Sequence, residues 1–272
     1  MTTEDTAGPV HVVLVPGFWL GGWAWDDVVP HLERSGLEPH PVTLPGLASS
    51  SEDRAGLTLA DHVATVRDVV ADLTGQVVLV GHSGAALVVQ GIVDADPGRI
   101  AGVVYVDAWP SADGDAIFDL PADQVDLPLP SWEQMEADGN SLEGIDEAGL
   151  ARFRERAVPE PAGVARSAVH LTDERRLDVP VTVICSSVPA ARLRAVMDEG
   201  QAWTGELVAT NPDVLTFVDL PTGHWPMFSR PADLAAVIAD AASSATTPAA
   251  DAGAMRQTAQ PSQVLDQDRA GE

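Results

Sequence analysis

The chain contains no lysine: all 15 of its basic residues are arginine, set against 41 acidic ones. That absence excludes a lysine Schiff base, the usual attachment of pyridoxal phosphate included. There is a single cysteine, Cys185, so no internal disulfide forms, and no Cys/His cluster has the spacing of a zinc site. Cys185 ends a β-branched run, where a small buried hydrophobe fits and nothing electropositive favours a thiolate. No stretch approaches the roughly 20 apolar residues that a membrane helix needs. Residues 1–9 are acidic and polar and lack the basic-then-apolar pattern of a signal peptide, so a cytoplasmic location is expected. A formal charge of −26 disfavours nucleic acid and anionic membranes and gives no long-range help to anionic substrates. The expected partner is a small-molecule substrate, and the expected state is a monomer or homodimer.

What is present is core-forming material. Hydrophobic residues make up 45% of the 272 positions, enough for one large domain or a domain with an insertion. Short Val- and Ile-rich runs at 11–15, 41–44, 77–80, 103–106, 181–185 and 214–220 read as buried strands bounded by turn residues. Between them, residues 57–73, 85–94 and 232–242 carry helical spacing. Alternating strand and helix predicts a mostly parallel sheet covered on both faces. The alternation breaks between Asp107 and Val181. That segment has proline-rich turns, helix-like pieces at 131–138 and 147–158, and no convincing strand. The expected organisation is a flexible start (1–9), a core (10–107 and 179–242), a helical cap insertion (108–178) and a disordered tail (243–272), the last from its Ala, Ser, Thr and Gln content.

Two local patterns carry chemistry. Val77–Val80 runs into Gly81-His82-Ser83-Gly84-Ala85, and an apolar helix follows. Small residues two before and two after the serine allow strand and helix to approach closely. The hydroxyl then stands above the sheet edge, at a helix N-terminus that favours developing negative charge. Near the end, a strand closing at Leu220 leads into Gly223-His224-Trp225-Pro226. A histidine on that loop can reach over the sheet edge to the serine and act as its general base. No other histidine has this setting.

These motifs and the strand order resemble the α/β-hydrolase superfamily over residues 10–242. The segment Pro16-Gly17-Phe18-Trp19 with Gly21, Gly22, Trp23 and Trp25 is similar to the oxyanion loop of its esterase and hydroxynitrile-lyase-like branch. The resemblance implies catalytic Ser83 and His224, with the backbone N–H groups of Phe18 and Gly84 as the oxyanion hole. It places an acid after the strand before the last one, where this chain offers no carboxylate until Asp198, inside an apparent helix. The family's second position, after the strand that follows the elbow helix, holds Asp107. The expected acid is therefore Asp107, with Asp198, another residue or no acid at all as the alternatives. Trp19, Trp109 and Trp132, with Phe118, are candidate walls of a small, partly apolar pocket, or core. No cofactor or metal is implied. The expected reaction is hydrolysis of a small carboxylic ester or lactone through an acyl-serine. The alternatives are a lyase (that branch wants a lysine, which is missing), a cofactor-independent oxygenase, or a non-catalytic ligand-binding homologue.

Overall fold

A computed structural model describes residues 8–246. Its strands are β1 (Val10–Val15), β2 (Glu38–Pro41), β3 (Gln76–His82), β4 (Gly102–Val106), β5 (Asp126–Leu127), β6 (Glu160–Pro161), β7 (Val181–Cys185) and β8 (Leu215–Asp219). Its helices are α1 (Val29–Arg34), α2 (Leu59–Asp72), α3 (Ala86–Ala95), α4 (Trp132–Ala137), α5 (Glu147–Arg156), α6 (Ala162–Arg166), α7 (Ala190–Asp198), α8 (Gly205–Ala209), α9 (Pro226–Ser229) and α10 (Pro231–Thr246). Six strands pair in parallel in the order β2-β1-β3-β4-β7-β8.

Strand periodicity explains why the predicted strands are apolar throughout. β1 sends Val13 and Val15 into one hydrophobic cluster, and Val12 and Leu14 into the other. β3 and β4 divide their valines the same way. One cluster is closed by Val66 and Val70 of α2, Leu87 of α3 and Leu193 of α7. The other is closed by Leu32 of α1 with Leu234 and Ile238 of α10. Each fully buried Val or Leu contributes roughly 1.5–3 kcal/mol, so these two layers supply most of the driving force.

The structure departs from the expectation at four places. The run 41–44 is not a strand. β2 is Glu38–Pro41, paired with β1 from His11↔Glu38 to Leu14↔Pro41. Val42 and Leu44 are buried in the turn that leaves it, so their hydrophobicity reports a covered loop. Prolines 39 and 41 suit an edge strand, where a missing N–H costs nothing. The segment between β4 and β7 is not purely helical, because β5 and β6 pair antiparallel with Leu127 opposite Glu160. Two-residue strands are too short to show a period. At the C-terminus, residues 243–246 continue α10 rather than beginning a tail, and the remaining tail residues, 247–272, lie outside the described residues, as do residues 1–7. Pro9 is already tied to the sheet, accepting from the Gln76 N–H at 3.2 Å.

Candidate active site

β3 passes into a short 3-10 turn at Ser83–Ala85 and then α3. Ser83 holds φ +51°, a left-handed conformation that an L-residue adopts only under constraint. A Cβ at position 81 would lie 2.8 Å from the Val89 side chain and 3.2 Å from the Ala85 carbonyl. The close strand–helix approach therefore requires glycine there. Among the described residues the other non-glycine positions with positive φ are Trp19 (+66°) and Asp107 (+45°). All three follow C-terminal ends of neighbouring central strands, so backbone strain gathers at one edge of the sheet.

His224 joins the other two ends. Its Nε2 lies 2.8 Å from Ser83 Oγ, and its Nδ1 lies 2.6 Å from Asp107 Oδ2. Asp107 is cradled as well. The Ser186 and Ser187 N–H groups donate to Oδ1 at 2.9 and 2.8 Å, and the Ser187 hydroxyl donates to Oδ2. Burial pushes the Asp107 carboxyl up, but the bonds from His224 and Ser187 outweigh it and hold the group below its ordinary range. An ionised Asp107 can only accept, which fixes the proton of neutral His224 on Nδ1 and leaves the Nε2 lone pair facing the serine hydroxyl. The other acid considered, Asp198, ends α7. The loop after β7, which offers no carboxylate, instead supplies the donors that hold Asp107.

The His224 loop is fixed from the insertion. The His224 N–H donates to Ser141 O at 2.7 Å, and the Gly223 N–H to Glu143 O at 3.0 Å. A Cβ at position 223 would meet the Ser141 carbonyl at 2.5 Å. A further residue, missed in the sequence, is His82. Its ring is fully buried, packs 4.9 Å from the His224 ring, and places Nε2 2.8 Å from the His224 carbonyl. Burial and the neighbouring His224 push its pKa down to about 3, so it is neutral and donates from Nε2. Its position inside the elbow motif, just before the serine, was the available signal.

The Phe18 ring lies directly over Gly84, where an added Cβ would sit 2.6 Å from it. The two candidate oxyanion residues therefore adjoin. Trp19 is gripped by the insertion at three points. Its N–H donates to Glu160 Oε2 at 3.1 Å, its carbonyl accepts from Val158 at 3.0 Å, and its indole N–H donates to Leu127 O at 3.0 Å. Sequence reasoning also missed Glu160, which sits among prolines with no motif around it. The aromatic candidates separate. Trp19 and Phe118 both lie 6.1 Å from the Phe18 ring. Trp109 pairs with Trp203 at 5.1 Å, and Trp132 packs on Phe153 at 5.3 Å beneath the Arg154 guanidinium. Beside Phe18, Gly84 and Glu160 is a cavity of only about 10 Å³. A cavity of about 490 Å³ lies elsewhere, between α2 and residues 167–170, with neither Ser83 nor His224 in its wall. Neither lines the small space either, but that space adjoins Phe18 and Gly84, the candidate oxyanion residues.

A parallel sheet with a serine elbow, and a histidine and an aspartate meeting above its carboxyl edge, defines an enzyme of the hydrolase type. The chain belongs to the alpha/beta hydrolase family, which it matches over residues 12–237. It is similar to the pyrethroid hydrolase of Sphingobium wenxiniae, 25% identical over 84% of this chain and 86% of that protein. It is also similar to methylesterase 7 of Arabidopsis thaliana, 24% identical over 85% and 95%. A solved Arabidopsis methylesterase, MES16, shares the fold with a TM-score of 0.68 at 19% identity, over 86% of this chain and 99% of that one. No helix among the described residues is long and apolar enough to cross a membrane.

Proposed function

We propose that the protein is a carboxylic ester hydrolase working through an acyl-serine, with Ser83 as nucleophile, His224 as general base and acid, and Asp107 as the triad carboxylate. The observation that carries this reading is the continuous hydrogen-bonded line from Asp107 through His224 to Ser83. Ser83 Oγ attacks the ester carbonyl as its proton passes to His224 Nε2. Asp107 stabilises the imidazolium that forms and keeps its own charge. The oxyanion is received by the N–H groups of Phe18 and Gly84, each such donor contributing roughly 3 kcal/mol in the transition state. The tetrahedral adduct collapses, His224 protonates the departing alcohol, and a water activated by the same imidazole releases the acid. Residues 108–178 act as the cap, with Trp19 and Phe118 beside Phe18 as the apolar wall. The hydrolase and esterase names of the relatives support the same class of reaction.

Labelling with a fluorophosphonate probe tests this. The expected adduct, located by mass spectrometry, is on Ser83 and is lost in His224→Ala. An unlabelled wild-type protein that turns over no small ester overturns the reading, and oxygen uptake on an aromatic substrate in its place would favour the oxygenase.

A further inference from the structure

We propose that His11, Glu38 and His40 form a Zn²⁺ site on the edge of the sheet, remote from Ser83. The donors come from two paired strands. His11 stands opposite Glu38 in the β1–β2 register, and His40 lies two residues beyond Glu38, on the same face of β2. His11 Nδ1 is 3.0 Å from His40 Nε2 and 3.1 Å from Glu38 Oε2, and all three donor atoms lie within 4.8 Å of one another. Two ligands on a tetrahedral zinc, bound at about 2.0–2.1 Å, stand about 3.3 Å apart, so His11 Nδ1 is within a few tenths of an ångström of a coordinating separation from each of the other two donors.

The tautomer leaves an acceptor atom that suits a cation. His11 Nε2 lies 2.9 Å from the Thr74 carbonyl, which can only accept. The Nε2 proton is therefore committed, and in neutral His11 the Nδ1 lone pair points at the Glu38 carboxylate and the His40 ring. That lone pair can accept the His40 Nε2–H at 3.0 Å, or take a cation shared with the Glu38 carboxylate at 3.1 Å. A backbone carbonyl behind one ligating histidine is also the usual outer partner that fixes a metal-binding ring. Two imidazoles with one carboxylate suit zinc better than the hard cations, which prefer all-oxygen sites. His11 is buried while Glu38 is exposed and His40 half-buried. That gives one rigid ligand with two that an ion can reach from solvent, on a chain whose charge of −26 draws cations. His11 pairs with Val77 of β3, so the site lies about 20 Å along the strands from Ser83, at roughly 3.3 Å per residue. Its effect would be to staple the short edge strand to β1.

The full chain, stripped with a chelator, is titrated with zinc chloride by calorimetry and its thermal midpoint followed. The expected result is one equivalent that His40→Ala loses and that Glu38→Gln binds at least tenfold more weakly. The midpoint should rise with zinc in wild type, less at the same zinc concentration in Glu38→Gln and not in His40→Ala, because the ion binds only where the strands are paired. Both changes are on the exposed side of β2, and the metal-free midpoints of the variants show whether each remains folded. If His40→Ala and Glu38→Gln keep the wild-type stoichiometry and affinity, or if wild type binds no zinc at millimolar concentration, the proposal fails.

Discussion

Two buried carboxyls meet opposite fates. Asp107 and Glu160 are both almost out of solvent, and burial alone drives both towards the neutral form. Asp107 receives donors on both oxygens, from two backbone N–H groups, a hydroxyl and an imidazole, and stays ionised. Glu160 receives one, the Trp19 N–H, and its Oε1 has no partner. Arg54, buried nearby, turns its guanidinium to the carbonyls of Pro159, Ser49 and Glu52 instead. Glu160 is accordingly pushed up to about 8. Burial opposes the charge on both groups, and the donors each one receives decide which remains charged.

The contrast can be broken from either side. The largest effect is expected for Asp107→Asn. It preserves shape but reverses the hydrogen bond to His224 Nδ1, and turnover should fall by about 10⁴ with the fold retained. Near-normal steady-state kinetics would remove Asp107 from the mechanism. Next is Glu160→Gln. The folded form of wild type holds an extra proton between the ordinary value of 4.5 and about 8. Its stability therefore drops as pH climbs through that window, by roughly 3–5 kcal/mol for a shift of this size. Urea melts at pH 5 and pH 9 should show that loss in wild type and not in the glutamine variant. Equal pH dependence of the two proteins would show that Glu160 titrates normally. The smallest effect belongs to Ser187→Ala, which removes one donor from Asp107. A cost of roughly 1.5–3 kcal/mol is expected at neutral pH, as for a hydrogen bond to a charged group. The cost should shrink in acid, as Asp107 takes up a proton in the folded state.

What could be read from the sequence was what is local. The strand–Gly-His-Ser-Gly–helix pattern is contiguous, and the parallel sheet followed from Val-rich runs whose alternate residues feed two cores. Asp107 could be preferred over Asp198 from its place at a strand end, but its cradle was not legible, because it comes from residues 79 and 80 positions further on. Glu160 acts through a contact 141 positions away and carries no motif, while His82, inside the elbow motif, acts through one 142 positions away. β2 was misplaced because hydrophobicity marks covered backbone whether or not it pairs. The donors His11, Glu38 and His40 have no metal-ligand spacing in the chain, since strand register alone brings them together.

The insertion between β4 and β7 holds the imidazole loop through Ser141 and Glu143, and the strained Trp19 through Leu127, Val158 and Glu160. A change in that one segment would therefore reach both the base and the oxyanion loop without altering a residue of either.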